Sequence, residues 1–389
     1  MGALFQFVLL FICWLAALAT LLIFLETWFG LSGRNRFIAR RASGAYGVIT
    51  VLVPLRGDRE KVERALKSVF GQSYPFIELV LVYFEEDRQF AQLAKEFRAA
   101  RSHIPVRIVP TLFSVESHND RIRALEHAQP TARGRWLVIL DPGVVLDRFA
   151  IETAVEFAGS NEISALALHP GIRCRSVLQK IIAPSMEQLL QTVRIAGRRR
   201  EKQKNAEFDS SFLIVNREAF EVVNRVNRIP GILNESGWSM WAYQMEGLRT
   251  FDADGSRWMW RDADVRSWSS DADTHRRYGT TSAGLIVASA AISLLTVFGI
   301  GFGLIHGIDN FAGASVLAFA GVSYLLMWTS YFLFARRLHA AVWFAPLWVL
   351  SHIPAAVLTL LEMRRLGKIS HKKAQKTGTV GAGFSRRAD

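Results

Sequence analysis

Apolar residues follow two regimes along this chain. Between residues 46 and 280 they come in short runs separated by polar helices and turns. Outside that stretch they come in spans long enough to cross a bilayer. In the first regime, 48–54 (VITVLVP) is a β-branched run that predicts a buried strand. The segment 60–70 carries apolar residues at 62, 65, 66, 69 and 70, the spacing of a helix face. Further strands are predicted at 77–83, 106–109, 136–140, 163–169 and 211–215. Helices are predicted at 89–100, 120–127, 148–158, 217–223 and 239–247. Strand–helix alternation of this kind predicts an α/β domain, a mostly parallel sheet with helices on both faces.

The second regime begins with residues 3–25, apolar except for Gln6 and Thr20. No Lys or Arg precedes this span, and Arg34, Arg36, Arg40 and Arg41 follow it, so it reads as a transmembrane anchor and not a cleaved signal. The charge bias puts the N-terminus outside and the α/β domain in the cytoplasm, as in a bacterial-type inner membrane. Three more apolar segments cover 283–305, 311–334 and 340–361; the last contains Pro346 and Pro354 and is expected to be re-entrant, keeping the basic tail from 363 inside. The expected organisation is an anchor (1–33), a soluble domain (46–280), membrane helices (283–362) and a disordered basic tail (363–389). Residues 176–200 combine an apolar stripe with a basic end. They read equally as a helix lying on anionic lipid headgroups or as a core-facing helix with a solvated end.

A net charge of +13 with 50% hydrophobic residues fits a membrane protein with a basic cytoplasmic side and excludes a nucleic-acid binder. Two cysteines, Cys13 and Cys174, support neither a disulfide framework nor a zinc site. The apolar spans lack the paired charges of a transporter. The strand at 136–140 ends on Asp141, followed by Pro142 and Gly143. In an open α/β sheet ligands bind beyond the carboxyl ends of the strands, so Asp141 is placed to meet a phosphate-bound metal; a turn-forming loop Asp is the plain alternative. Arg123, Arg133 and Arg135 are candidate diphosphate contacts or a solvated basic face. Trp238, Trp241, Trp258, Trp260 and Trp268 are candidates for sugar stacking, an interfacial belt or core packing.

Several segments together resemble the membrane-anchored family 2 glycosyltransferases, in their cellulose-synthase-like and ceramide-glucosyltransferase-like branches. These are the first strand ending at Pro54, the helix and turn 65–75 (ALKSVFGQSYP), 134–141 (GRWLVILD), 216–220 (NREAF), 233–235 (LNE) and 245–249 (MEGLR). The resemblance spans roughly residues 46–280 and implies a GT-A-like (Rossmann-like) fold. It also implies an inverting sugar transfer from a nucleotide-sugar donor to a lipid or glycan acceptor, at the cytoplasmic membrane face. By the same resemblance Pro54, Arg56, Glu85 (or Glu86) and Asp141 contact the donor. Asp141 holds a divalent metal (Mn²⁺ or Mg²⁺), Glu235 and Ser236 stand at the catalytic base, and Arg277 and Tyr278 contact the acceptor or the leaving diphosphate.

At each chemical position the chain departs from the family pattern. The D-x-D metal motif reads Asp141-Pro142-Gly143, which makes the metal doubtful. The E-D pair reads Glu235-Ser236, and a neutral serine does not take a proton as a carboxylate does. The Q-x-x-R-W motif reads Thr274-His275-Arg276-Arg277-Tyr278. The sequence therefore sets an active transferase beside a second expectation: a glycosyltransferase-like subunit that binds a protein partner, a nucleotide or a lipid without turnover.

Overall fold

The structure is a computed structural model. It describes residues 2–32, 47–100, 103–112, 118–200, 211–226, 240–262, 272–306, 311–338 and 340–361. Two compact units emerge: Gly33–Arg173 with Glu201–Asp262, and Met1–Ser32 with Cys174–Arg200 and Ala263–Asp389.

The first unit is built on a seven-stranded sheet in the order β3-β2-β1-β4-β8-β6-β9, the mostly parallel α/β arrangement that the strand–helix alternation predicts. Its strands are β1 (Ile49–Pro54), β2 (Ile77–Phe84), β3 (Val106–Thr111), β4 (Trp136–Leu140), β6 (Ala165–His169), β8 (Phe212–Asn216) and β9 (Thr250–Asp254). β8 alone runs antiparallel to its neighbours β4 and β6. Strands β1 and β4 are buried along their whole length, so they read as unbroken apolar runs instead of alternating ones.

Around the sheet lie helices α2 (Arg59–Phe70), α3 (Arg88–Ala99), α4 (His118–Ala128), α5 (Ala150–Ser160), α7 (Arg217–Val226) and α8 (Met240–Met245). Helix α2 forms because Val62, Ala65, Leu66 and Val69 recur on one face and are buried, while Asp58 caps its first turn by accepting from the Glu60 and Lys61 N–H groups. Apolar side chains fill both faces of the sheet: Val51, Val53, Leu79, Leu81 and Val138 on one, Leu52, Val80, Val82, Leu137 and Ile139 on the other. Each such side chain contributes about 1.5–3 kcal/mol by leaving water.

A second, three-stranded sheet joins β5 (Val144–Leu146), β10 (Met259–Asp262) and β7 (Gly171–Arg173). The hydrophobic pattern predicts neither these strands nor β9. β5 and β7 are three residues long, and β10 alternates too little, carrying a half-buried Trp260, Arg261 and Asp262. Trp258 packs against the core, which settles its role as packing; Trp260 sits on β10. The side chains of Trp238, Trp241 and Trp268 lie outside the described residues.

At the amino ends of the strands a polar clamp fixes β1, β2 and β4. Thr50 donates to Glu78 Oε1 (2.5 Å), and the Gly134 N–H donates to Thr50 Oγ1 (2.8 Å). The Arg133 N–H donates to the same Glu78 oxygen (2.5 Å), and Arg107 pairs with Glu78 Oε2 at 3.5 Å. Gly134 is required by this approach: a Cβ there would stand 2.4 Å from the Thr50 backbone nitrogen and 2.9 Å from the Ile49 carbonyl carbon.

The second unit holds α1 (Gly2–Ser32), α6 (Val177–Arg200), α9 (Ala272–His306), α10 (Phe311–Arg337), a 3₁₀ turn (Val342–Leu347) and α11 (348–361). Four of its segments are long and apolar enough to cross a membrane: Phe7–Leu25, Ile286–Ile305, Phe311–Arg336 and Val342–Leu361. Helix α6 groups with them instead of with the sheet that flanks it in sequence, which hydropathy across 46–280 does not foretell. Its middle stretch, 183–189, is buried there. Ser185 Oγ and Ser351 Oγ share a hydrogen bond of 2.7 Å, Gln188 donates to Met327 Sδ, and the Tyr331 hydroxyl donates to the Ile181 carbonyl. The core-facing reading therefore holds for that stretch; the side chains of its basic end lie outside the described residues.

Helices α9 and α10 touch closely at Gly303. A Cβ on Gly303 would lie 2.6 Å from Leu317 Cβ and 3.1 Å from Leu317 Cα. Small residues let apolar helices approach where lipid offers no hydrophobic drive to associate.

Two stability outcomes follow from these contacts. Gly134→Ala should cost about 2–3 kcal/mol or more, since the added methyl meets backbone that cannot rotate away; chemical unfolding followed by circular dichroism in detergent measures it, and a wild-type midpoint would refute the clamp. Gly303→Ala should lower the thermal midpoint of the full-length protein while leaving the nucleotide-site variants described below unaffected in rank; an unchanged midpoint would show that α9 and α10 do not depend on this contact.

Candidate functional site

The parallel register of β1 and β4 pairs Leu52 with Ile139, so two residues on, Pro54 stands level with Asp141. The same register sets Pro54 opposite Val82 of β2. Past Pro54 the chain keeps contact with β2 through the Leu55 N–H, which donates to the Val82 carbonyl (2.7 Å). It then turns at Gly57 (φ +82°) and enters α2 at Asp58. Arg56 is the one long side chain between these two fixed points.

Asp141 is held as firmly. Its N–H donates to the Ser211 carbonyl (2.8 Å), its carbonyl accepts from Val144 N–H (3.0 Å), and its Oδ1 accepts from Gly143 N–H (3.0 Å). This is an Asx turn, in which the Pro-Gly step folds the chain back into β5. The other oxygen, Oδ2, accepts from Arg56 Nη2 at 2.7 Å, and both side chains are largely buried (17% and 20% exposed). Asp141 thus forms the turn through one oxygen and pairs with Arg56 through the other.

Glu85 follows the end of β2 at the same edge. Its N–H donates to the Thr111 carbonyl (2.9 Å), and its side chain is exposed, as is that of Glu86. Asp87 next caps α3. The structure therefore brings Pro54, Arg56 and Asp141 together and leaves Glu85 facing solvent on the same rim. Glu235 and Ser236 lie outside the described residues. Arg277 and Tyr278 fall within helix α9, with side chains outside what is described.

Arg133 and Arg135 are not part of this rim. They precede β4, at its amino end, where their N–H groups donate to Glu78 and to the Val48 carbonyl. A five-residue strand, about 16 Å, separates them from Asp141. Both side chains, and that of Arg123, are exposed, the solvated alternative of the sequence reading.

Three features of the site escape hydropathy and motif spacing. The first is the Arg56–Asp141 pair itself. The second is the Arg64–Asp262 pair (2.6 Å), which ties α2 to β10 below the site. The third is His169, at the carboxyl end of β6, whose Nε2 lies 2.6 Å from Asp252 Oδ1 of β9. The signal for each was a charged residue at a strand or helix end, too common to single out.

The residues described do not fit a divalent metal held by paired carboxylates. One Asp141 oxygen is engaged by a guanidinium and the other by a backbone N–H, and Gly143 offers no ligand at the second D-x-D position. Among the described residues no group of three or more His, Cys, Asp or Glu side chains converges to hold a metal.

Residues 9–175 match the family described as Glycosyl transferase family 21. That stretch runs from the anchor through β1, β4 and Asp141 to the end of β7. No curated protein matches the chain. Among solved structures, a mannosyltransferase from Pyrobaculum calidifontis, in complex with GDP-Man and Mn²⁺, is similar at 14% identity and a TM-score of 0.44, over 90% of this chain and 98% of that one. The family match supports a glycosyltransferase and agrees with the ceramide-glucosyltransferase-like branch that the motifs resemble.

If Arg56 and Asp141 depend on each other, a double-mutant cycle of Arg56→Ala and Asp141→Ala should return a coupling of about 1–2 kcal/mol, above the value of an exposed pair because both groups are mostly shielded. Unfolding midpoints of the four proteins give the number, and additive single effects would show that the pair contributes nothing to stability.

Proposed function

We propose that the protein is a membrane-bound, inverting glycosyltransferase. It transfers sugar from a nucleotide-sugar donor to a lipid or glycan acceptor at the cytoplasmic membrane face. The observation that carries this reading is the level juxtaposition of Pro54, Arg56 and Asp141 at the carboxyl ends of β1 and β4, within the stretch matched by a glycosyltransferase family. Glu85, on the same rim, is assigned to the base or ribose of the donor. Glu235 is assigned the general base, since Ser236 cannot take the acceptor proton at neutral pH. Arg277 and Tyr278 are assigned to the acceptor or the departing diphosphate. The four apolar segments keep the enzyme beside its lipid, and the basic residues at 194–204 are assigned to anionic headgroups on their charge alone.

A second reading, donor binding without turnover in support of a protein partner, has its own observation. Asp141 is fully engaged by protein groups, and the second metal carboxylate is a glycine. Against it, the His169–Asp252 pair supplies the only imidazole–carboxylate couple among the ion pairs of the described residues, the combination from which a base is made. It sits two strand spacings from β4, across β8.

Full-length protein in detergent or nanodiscs, offered a panel of UDP- and GDP-sugars with a lipid extract, should release nucleoside diphosphate and form a glycosylated product. Glu235→Gln and Asp141→Asn should each lower the rate by about 100-fold or more. Donor binding with no product in any combination would favour the second reading, and absence of donor binding would refute both.

A further inference from the structure

Building on the donor site proposed above, we propose that the donor's diphosphate is bound by the Arg56 guanidinium in place of a divalent metal, with Asp141 serving as the positioning residue that holds that guanidinium at the strand ends.

The argument begins with what Asp141 can offer. Mg²⁺ and Mn²⁺ in phosphate sites are held by one or two carboxylates together with phosphate oxygens and water. Here the carboxylate that closes β4, Asp141, already has a cation, Arg56, at 2.7 Å. A metal at Asp141 would have to expel that guanidinium or sit beside it, like charge against like charge. Part of the positive charge a metal would bring is already present in the Arg56 guanidinium.

Arg56 also has donors to spare. Of its five N–H groups, Nη2 serves Asp141, while Nε is buried and has no hydrogen-bond partner among the described residues. A buried donor left unmade costs free energy until an acceptor arrives. The planar fork of a guanidinium matches phosphate oxygens two at a time, which a lysine ammonium does not. The adjacent α2 N-terminus is not the anion site, because Asp58 already accepts from its Glu60 and Lys61 N–H groups. Among the described residues, that leaves Arg56 as the cation paired with Asp141 at this corner. Asp141 holds it from behind, and the β1–β2 contact at Leu55 fixes where its side chain begins.

The test measures binding of UDP and of GDP to the full-length protein by calorimetry, once with EDTA and once with Mn²⁺. The loss of the free Mn²⁺ paramagnetic resonance signal is followed in parallel. The expected result is nucleotide affinity equal within about 2-fold in the two buffers, with no stoichiometric Mn²⁺ uptake. Arg56→Ala should weaken binding by about 10-fold or more, the worth of a charge-assisted hydrogen bond. Arg56→Lys keeps a charge opposite Asp141 and preserves the fold. It should still lose several-fold because the fork is gone, and it decides the matter if the alanine variant does not fold. Asp141→Asn, which loosens the guanidinium without removing it, should fall between wild type and Arg56→Ala.

Binding that requires Mn²⁺, Mn²⁺ uptake abolished by Asp141→Asn, or wild-type affinity in both Arg56 variants would overturn this inference and leave the glycosyltransferase reading in place. No binding of either nucleotide in either buffer would remove both.

Discussion

The parallel pairing of β1 with β4 is the constraint on which the first unit depends. Both strands are buried on both faces, so each can sit only at the centre of the sheet. Their register is not left to hydrophobic contact, which slides easily between two apolar runs. It is pinned at one end by the contact of Gly134 with Thr50, and through Thr50 by Glu78 of β2. Once that end is fixed, the other is determined residue by residue. Pro54 and Asp141 come level because the clamp counts from the opposite edge. A side chain with no chemistry of its own to perform, such as Thr50, thereby decides where the carboxylate stands.

The rim at the far end shows a division of work between backbone and side chains. Turns at Gly57 and at Pro142-Gly143 bring two chain segments to the same corner, and each then leaves at once, one into α2 and one into β5. The corner is stiff for that reason, and the Arg56–Asp141 pair spans it. β5 belongs to the small second sheet with β10 and β7, and α2 is bound to β10 through Arg64 and Asp262. The two segments carrying the pair are therefore braced against the same strand. Within a largely shielded corner, a guanidinium and a carboxylate hold each other's orientation more firmly than either would be held in water.

Much of the sheet was legible in the sequence because its strands carry apolar runs that only a buried strand satisfies; 136–140 is one case, bounded as predicted. The strands that escaped are those whose burial depends on partners distant in sequence. Val144–Leu146 is apolar but too short to read, and Met259–Asp262 becomes a strand only because β5 and β7 flank it. Helix α6 was ambiguous for the same reason. Its stripe announces that something covers it, and nothing local says whether that is lipid, sheet or other helices. At the site, Asp141 was visible as a carboxylate closing a strand. Arg56 came only with the family resemblance, and its pairing with Asp141 was not legible, since the two lie 85 positions apart and an arginine beside a strand end carries no periodic signal.

Helix α9 runs unbroken for 35 residues, yet its apolar window begins only at Ile286. About 14 residues, roughly 20 Å, therefore extend beyond the part that fits a hydrocarbon core, and Arg277 and Tyr278 ride on that extension. A continuous helix does not absorb a change of angle along its length. A tilt of about 20°, the size by which spanning helices adjust to bilayer thickness, would carry the far end sideways by about 7 Å. The lipid composition around the span would in this way set where the projecting end stands, making the thickness of the membrane a mechanical input to the protein.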